Sequence, residues 1–396
     1  MTENKAPRKG RVNMSEQVST HYSKRTTSPF RYDVVGSFLR PDSLKLARQQ
    51  FAEGAINREE LTAVEDQSII ELIHREEKAG LKCVTDGEFR RSWWHLDFFW
   101  GLQGVAKTQA AAGYAFHDEV TRAESAQLTG QIGGGQHPFV DHFKFTRSHA
   151  SQNVEVKQTI PAPAQFLAEL QRPENRATTQ AIYATDDELI EAIATAYRQV
   201  ILDLYAVGCR SIQFDDCTWG MLVSAHDGAQ PDFAPSDEQL AILKQQYVTV
   251  NNLALAELPT DLTVNTHICR GNYHSTWASA GGYDNVADPL FSQENVSAYF
   301  LEYDSERAGG FEPLKKVTTD KLVVLGLITS KDGQLEDPET IIDRIHEAGK
   351  YVPLDRLCLS TQCGFASTEE GNVLTAQQQW DKIALVKKIA TIVWGD

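Results

Sequence analysis

His267, Cys269, Glu302 and Cys363 offer an imidazole, two thiolates and a carboxylate, the donor types that zinc accepts. Taken alone, His267 and Cys269 are a weak signal. Two ligands separated by one residue can both reach a metal where a strand turns into a loop, yet a buried structural cysteine or a satisfied core histidine fits the pair equally well. Cys363 stands in Ser360-Thr361-Gln362-Cys363-Gly364-Phe365, where Gly364 permits a tight turn that aims a thiolate inward. Cys83, Cys209, Cys217 and Cys358 lie in or beside apolar runs and read as core. A lone carboxylate such as Asp86 or Asp216 is more often a helix cap than a functional group.

What gives these residues weight is where they fall relative to the elements. An apolar run followed by a long amphipathic segment recurs along the chain, the alternation expected of parallel βα units. The runs predict strands at Tyr32–Gly36, Cys83–Asp86, Val154–Ile160, Ser211–Asp215, Leu262–His267, Ala298–Glu302, Leu322–Leu327 and Leu357–Ser360. Eight such units close a (β/α)8 TIM barrel, an α/β fold. Leu189, Ile193, Tyr197, Val200, Ile201 and Leu204 put an apolar stripe on one helix before Gly208 ends it. Ser236 and Gln239 form a capping box, Asp337-Pro338 starts another helix, and a last helix runs from about Thr375 to Trp394. Gly36-Ser37, Asp86-Gly87-Glu88, Asp215-Asp216, His267-Ile268-Cys269, Glu302 and Cys363 then all fall at strand carboxyl ends, which converge on one face of a barrel.

The expected organisation is one barrel domain over 28–396. An insertion at 102–153, a loop or hairpin made flexible in part by Gly133, Gly134 and Gly135, follows the second strand. Residues 1–27 carry six basic side chains, among them Lys5, Arg8 and Lys24, and read as a disordered basic tail. The formal net charge of -16 argues against nucleic acid as a partner. No run is apolar enough to suggest a membrane span or signal peptide, and six cysteines without an export signal point to a reducing cytoplasm.

Val35-Gly36-Ser37, Asp86-Gly87-Glu88, Gln213-Phe214-Asp215-Asp216, Thr266-His267-Ile268-Cys269, Phe300-Leu301-Glu302 and Gln362-Cys363-Gly364 occur in one order. In these motifs the chain resembles the carboxyl-terminal catalytic barrel of cobalamin-independent methionine synthase, especially its single-barrel relatives. The resemblance implies zinc held by His267, Cys269, Glu302 and Cys363. It also implies homocysteine held by Val35, Gly36, Ser37, Glu88 and Asp215, and methyl transfer from 5-methyltetrahydrofolate or its polyglutamate.

The pattern is incomplete. Met221 stands near the place of a second substrate carboxylate, and Ser330-Lys331-Asp332 replaces the family's proton-donating histidine. No tryptophan follows Pro161-Ala162-Pro163 to stack on the folate. Lys331 and Asp332 are the remaining candidates for assisting the leaving group. Arg40, Arg90, Arg91 and Arg270 are candidates for an anionic donor, with Trp93, Trp94, Phe98, Phe99 and Trp100 as its pocket. Other thiols of the coenzyme M type, a corrinoid-borne methyl group, a metal-independent barrel and a zinc-binding barrel without turnover remain open.

Overall fold

The computed structural model describes residues 22–224 and 235–395. Most of the basic amino-terminal stretch therefore lies outside the described residues. Its end is docked rather than loose: the Ser23 amide and hydroxyl bond the Asp355 carboxylate, which also pairs with the buried Arg31 at 2.7 Å.

Among the described residues ten strands form two sheets: β1 Tyr32–Asp33, β2 Cys83–Val84, β3 Gln103–Gln109, β4 Glu124–Gly133, β5 Glu155–Pro161, β6 Ser211–Asp216, β7 Thr263–Ile268, β8 Ala298–Glu302, β9 Leu322–Ile328 and β10 Leu357–Thr361. Eight run parallel in the order β1-β10-β9-β8-β7-β6-β5-β2, each followed by α-helix except β8, where short 3-10 turns at Glu306–Ala308 and Glu312–Lys316 lead to β9, so the sheet is a nearly closed TIM barrel. The predicted first and second strands were too long at their carboxyl ends. β1 and β2 stop after two residues because the chain there turns to make side-chain closures. Across that seam the Thr85 hydroxyl donates to the Gly36 carbonyl at 2.6 Å, and the Phe38 amide donates to the Gly87 carbonyl at 3.1 Å.

The helices begin and end where local chemistry dictates. Thr185, Ser236 and Thr375 each cap a helix through a capping box with Glu188, Gln239 and Gln378, and Asp337 caps the helix opened by Pro338. Their apolar faces and the outward-facing strand residues make the main core, including Ile212, Phe214, Val264 and Leu325. Inside the barrel lies a separate cluster of Val35, Phe300, Val324 and Cys358. Beside it are polar residues: the ammonium of Lys157, fully buried, meets Asp33 at 3.1 Å and lies 4.8 Å from the Phe300 ring centre.

The insertion is structured. β3 and β4 pair antiparallel as a hairpin, and a helix at Pro138–His149 follows before β5. The glycine run serves close packing rather than flexibility. A Cβ on Gly134 would come within 2.0 Å of the Ala196 carbonyl oxygen, so only glycine lets this segment lie on the helix Asp186–Ala206.

Candidate metal centre and its cavity

Side chains alternate across a strand, so residues two apart share the barrel's inner face. On β6 this puts Gln213 and Asp215 inside; on β7, Asn265 and His267; on β8, Phe300 and Glu302. The parallel register then sets Asp215 beside His267, and His267 beside Phe300. Cys269 and Glu302 follow two residues after those partners, and Cys363 arrives just past β10. The sheet thus gathers four donors from three strand ends.

One ligand atom from each of His267, Cys269, Glu302 and Cys363 lies within 4.8 Å of the others, and all four residues are buried. The sulfurs of Cys269 and Cys363 are 3.7 Å apart, and His267 Nε2 is 3.4 Å from the Cys363 sulfur. His267 Nδ1 faces the Phe300 carbonyl at 3.3 Å. Nδ1 must therefore carry the proton, leaving the Nε2 lone pair toward the thiols. Glu302 takes a hydrogen bond from Gln362 Nε2 on Oε1 at 3.0 Å, while its buried Oε2 has no hydrogen-bond partner. Two thiols, an imidazole and an orphaned carboxylate oxygen in one buried spot are a donor set that fits a cation.

The electrostatics agree. Hydrogen bonds from the Cys217 and Cys363 thiols, helped by His267, hold Cys269 well below the usual thiol range against burial. Burial and the neighbouring Cys269 charge push Glu302 up to about 7. Burial alone would depress His267, but the Cys269 sulfur and the Asp215 and Glu302 carboxylates raise it. This is a cluster of excess negative charge that a bound cation would relieve.

The cluster opens on a cavity of about 1570 Å³ lined by Val35, Ser37, Glu88, Asp215, His267, Cys269 and Cys363 among others. Glu88 adopts a left-handed backbone, φ 61°, that aims its buried carboxylate inward. Its Oε1 accepts from the Thr159 hydroxyl at 2.8 Å and forms an ion pair with Arg91 at 3.1 Å, while Oε2 has no hydrogen-bond partner. Asp215 is pushed up to about 7 by burial and by the charge of Glu88. Ser37 packs so closely on the Cys363 turn that a Cβ on Gly364 would sit 2.0 Å from its hydroxyl. That crowding, rather than the backbone freedom the sequence suggested, is why glycine stands at 364.

Several expected residues are used elsewhere. Arg40 is buried and spends its donors on backbone carbonyls of Phe38, Ala366 and Glu88; Arg90 pairs with Asp66. Arg91 holds Glu88 and Thr159, and Arg270 binds Gly281, Tyr283 and Glu302 backbone or side-chain oxygens. None of these four has a guanidinium free for a donor. Phe98 and Phe99 are core, and Trp100 donates to the Ser125 carbonyl of the hairpin, leaving Trp93 and Trp94 on the cavity wall. The Lys331 ammonium is tied to Gly271, Asn272 and Thr276 oxygens, and Asp332 is exposed and 3.8 Å from Lys382. Cys217 is a correction too. It is half-buried and lines the cavity, where the neighbouring Cys269 raises its thiol well above the usual range, because it directly follows Asp215-Asp216 at the end of β6.

Other wall residues carried no signal in the sequence. The hairpin supplies Tyr114, Phe116 and His117, and its loop is fastened to the segment after β7. His117 N–H donates to the Trp277 carbonyl at 2.8 Å, and Glu119 meets His274 at 2.8 Å. Besides Arg270, the wall carries Arg172, Arg176 and Arg307, of which Arg172 pairs with Glu169 and Glu174 and Arg307 with Asp304.

Residues 30–385 match the family described as cobalamin-independent synthase, catalytic domain. The chain belongs to the cobalamin-independent methionine synthase family. Among its relatives is the Bacillus subtilis uncharacterized protein YxjG, 43% identical over 389 residues, covering 96% of this chain and 100% of that protein. A putative vitamin-B12 independent methionine synthase from Listeria monocytogenes superposes with a TM-score of 0.72 at 35% identity, covering 94% of this chain and 100% of that one. A B12-independent methionine synthase from Shewanella sp. W3-18-1, solved with selenomethionine, shares the barrel with a TM-score of 0.67 at 20% identity, over 91% of this chain and 96% of its own. In this family member the cluster and cavity described above sit at the barrel's carboxyl-end face. Among the described residues no helix is long and apolar enough to cross a membrane.

Proposed function

We propose that this family member is a zinc-dependent S-methyltransferase that converts homocysteine to methionine with a methyl-folate donor. The observation that carries the reading is the orphaned, buried Glu88 Oε2 on the same cavity wall as Cys269 and Cys363. A metal store has no use for a buried carboxylate whose Oε1 is held by Thr159 and Arg91 while Oε2 is left without a hydrogen bond on the same wall as the ligands, whereas an amino-acid thiol supplies an ammonium to donate to that oxygen.

Zinc held by His267, Cys269, Glu302 and Cys363 would supply a Lewis acid that keeps a thiol ionised near neutral pH. The chain's own residues do the rest. Glu88 and Asp215 take the substrate ammonium, and the Ser37 hydroxyl with the 35–37 backbone takes its carboxylate. These contacts fix the side-chain sulfur toward the four ligands, which turns an encounter into a positioned attack. The sulfur loses its proton and gains the methyl group, and the donor nitrogen gains a proton as it leaves. Trp94, Tyr114, Phe116 and Trp277 supply flat faces for a heterocycle, and Arg172, Arg176 and Arg307 supply charge for glutamyl carboxylates. The hairpin covers the cavity and limits water at the reacting atoms. Six unpaired cysteines support a cytoplasmic, reducing setting.

The test is metal analysis together with methyl transfer to homocysteine, using methyl-folate, its triglutamate, methyl-corrinoid and other thiols in parallel. Methionine formed only with metal present and preferentially from methyl-folate is expected. Full transfer by chelated protein, or transfer only to a thiol lacking the amino-acid group, overturns the proposal.

A further inference from the structure

Gln213 lies inside the barrel on β6, fully buried, two residues below Asp215. Its Oε1 accepts from the Lys157 ammonium at 3.0 Å, and its Nε2 donates to Asp215 Oδ1 at 2.8 Å and to the Val35 carbonyl at 2.7 Å. An ammonium can only donate, so Lys157 decides which end of the amide faces it and therefore turns the NH2 group up toward the rim. Lys157 is itself anchored on Asp33 at 3.1 Å and on the Val34 carbonyl. Asp33 is fixed in turn by the amides of Val34 at 2.8 Å and Phe30 at 3.3 Å. The chain of contacts runs from β1 through β5 to β6 and back to the segment after β1. Both protons of the amide are used, and both acceptors belong to the cavity wall.

β1 and β6 are not neighbours in the sheet, whose order places β10 beside β1 and β5 and β7 beside β6. No backbone ladder therefore sets the separation between Asp215 and Val35-Gly36-Ser37. The Gln213 amide does so directly across the barrel interior. We infer that Gln213, oriented by Lys157 and Asp33, is a positioning residue that sets how far apart the ammonium-binding and carboxylate-binding groups stand, and so selects α-amino-acid thiols over plain thiols. This rests on the proposed reading of the site as an amino-acid thiol pocket.

The experiment compares metal-loaded wild type with Gln213→Met, Gln213→Glu and Gln213→Asn. Each is assayed with homocysteine and with 4-mercaptobutanoate, which keeps the chain length and carboxylate but lacks the ammonium. Met removes all three hydrogen bonds. Glu keeps the acceptor for Lys157 but sets a second oxygen against Asp215 and the Val35 carbonyl, and Asn withdraws the amide by one methylene. The expected result is a loss of about 10-fold or more in the preference for homocysteine, the size of one charge-assisted contact misplaced, expressed in KM rather than kcat. Metal content should stay at the wild-type level. Calorimetric binding of methionine against 4-(methylthio)butanoate gives the same comparison without turnover and serves any variant too slow to assay. Unchanged preference in the folded variants, or equal loss on both ligands, overturns the inference, as does a wild type that binds both ligands alike. A wild type that binds methionine preferentially, loses that preference on substitution and yet transfers no methyl group upholds Gln213 while sinking the methyltransferase reading.

Discussion

Replacing Glu88 by Gln separates recognition from folding, because the side chain keeps its volume and one set of partners. The amide oxygen can still accept from the Thr159 hydroxyl, which meets Oε1 at 2.8 Å, and keeps its place beside the Arg91 guanidinium at 3.1 Å. The amide nitrogen then takes the place of Oε2, the atom with no partner of its own, and points donors at a substrate ammonium that can only donate. Removing one charge from a buried, hydrogen-bonded pair costs about 2–5 kcal/mol. Asp215 remains to share the ammonium, so the lower part of that range applies, about 2–3 kcal/mol, or a fall of about 30- to 150-fold in kcat/KM for homocysteine. Stability should behave differently. Burial raises Glu88 above the usual carboxylate range despite Arg91 and Arg40, so its charge is disfavoured in the fold at neutral pH. A carboxyl group raised by folding opposes folding above its unfolded value, and that opposition vanishes as pH falls and both states hold the proton. The variant should therefore melt within about 3 °C of wild type at pH 7, and any gap should narrow toward pH 4. Steady-state kinetics with homocysteine and 4-mercaptobutanoate, alongside calorimetric melting, decide it. Unchanged homocysteine kinetics, or the same loss with 4-mercaptobutanoate, would refute the assignment of Glu88 to the ammonium.

Cys363→Ser should lower bound metal, measured by elemental analysis, and should erase the difference in Tm between metal-loaded and chelated protein, since ligand-linked stability disappears with affinity. Asp215, pushed up to about 7 by burial and Glu88, is partly protonated in the free protein at neutral pH. An ammonium ligand favours its charged form, so methionine should bind more weakly from pH 8 down to 6 and release protons, read by calorimetry in buffers of different ionisation heat; affinity flat with pH and no proton release would count against it. Lys157→Met should destabilise the barrel by about 3–5 kcal/mol in urea unfolding, because it strands the buried Asp33 carboxylate; a midpoint equal to wild type would show that this pair is not holding the interior together.

The barrel was legible because β6, β7, β8 and β9 are short runs of five to seven residues, almost wholly buried, and the long helices before β6, before β7 and after β9 carry capping side chains in Thr185, Ser236 and Asp337. β1 and β2 were overextended because Val34-Val35 and Thr85 look like strand yet leave the ladder to build the seam and the rim. The four clustered donors were legible because each lies at or within two residues of a strand's carboxyl end, which sequence records directly. What sequence does not record is the far end of a long side chain. Arg40, Arg91 and Arg270 looked available for a ligand, and only their contacts reveal that backbone carbonyls and carboxylates consume them. Cys217 was read by its apolar neighbours when its place after Asp215-Asp216 was the better guide. The hairpin wall was illegible for a different reason: His117 and Trp277 meet at the cavity only after two distant loops have been fastened together.

That fastening divides the pocket by origin. The floor is written into short motifs at strand ends, where one changed residue would disturb ligands or barrel alike. Much of the cover comes from one contiguous stretch between β2 and β5 and the turn after β7 that it grips, with the helices after β5 completing the wall. A chain built this way can lengthen, shorten or recolour its cover by local insertion and deletion while the reactive floor is inherited intact. Diversity in the molecules admitted should accordingly track the hairpin from one homologue to the next, and the strand-end motifs should change far more slowly.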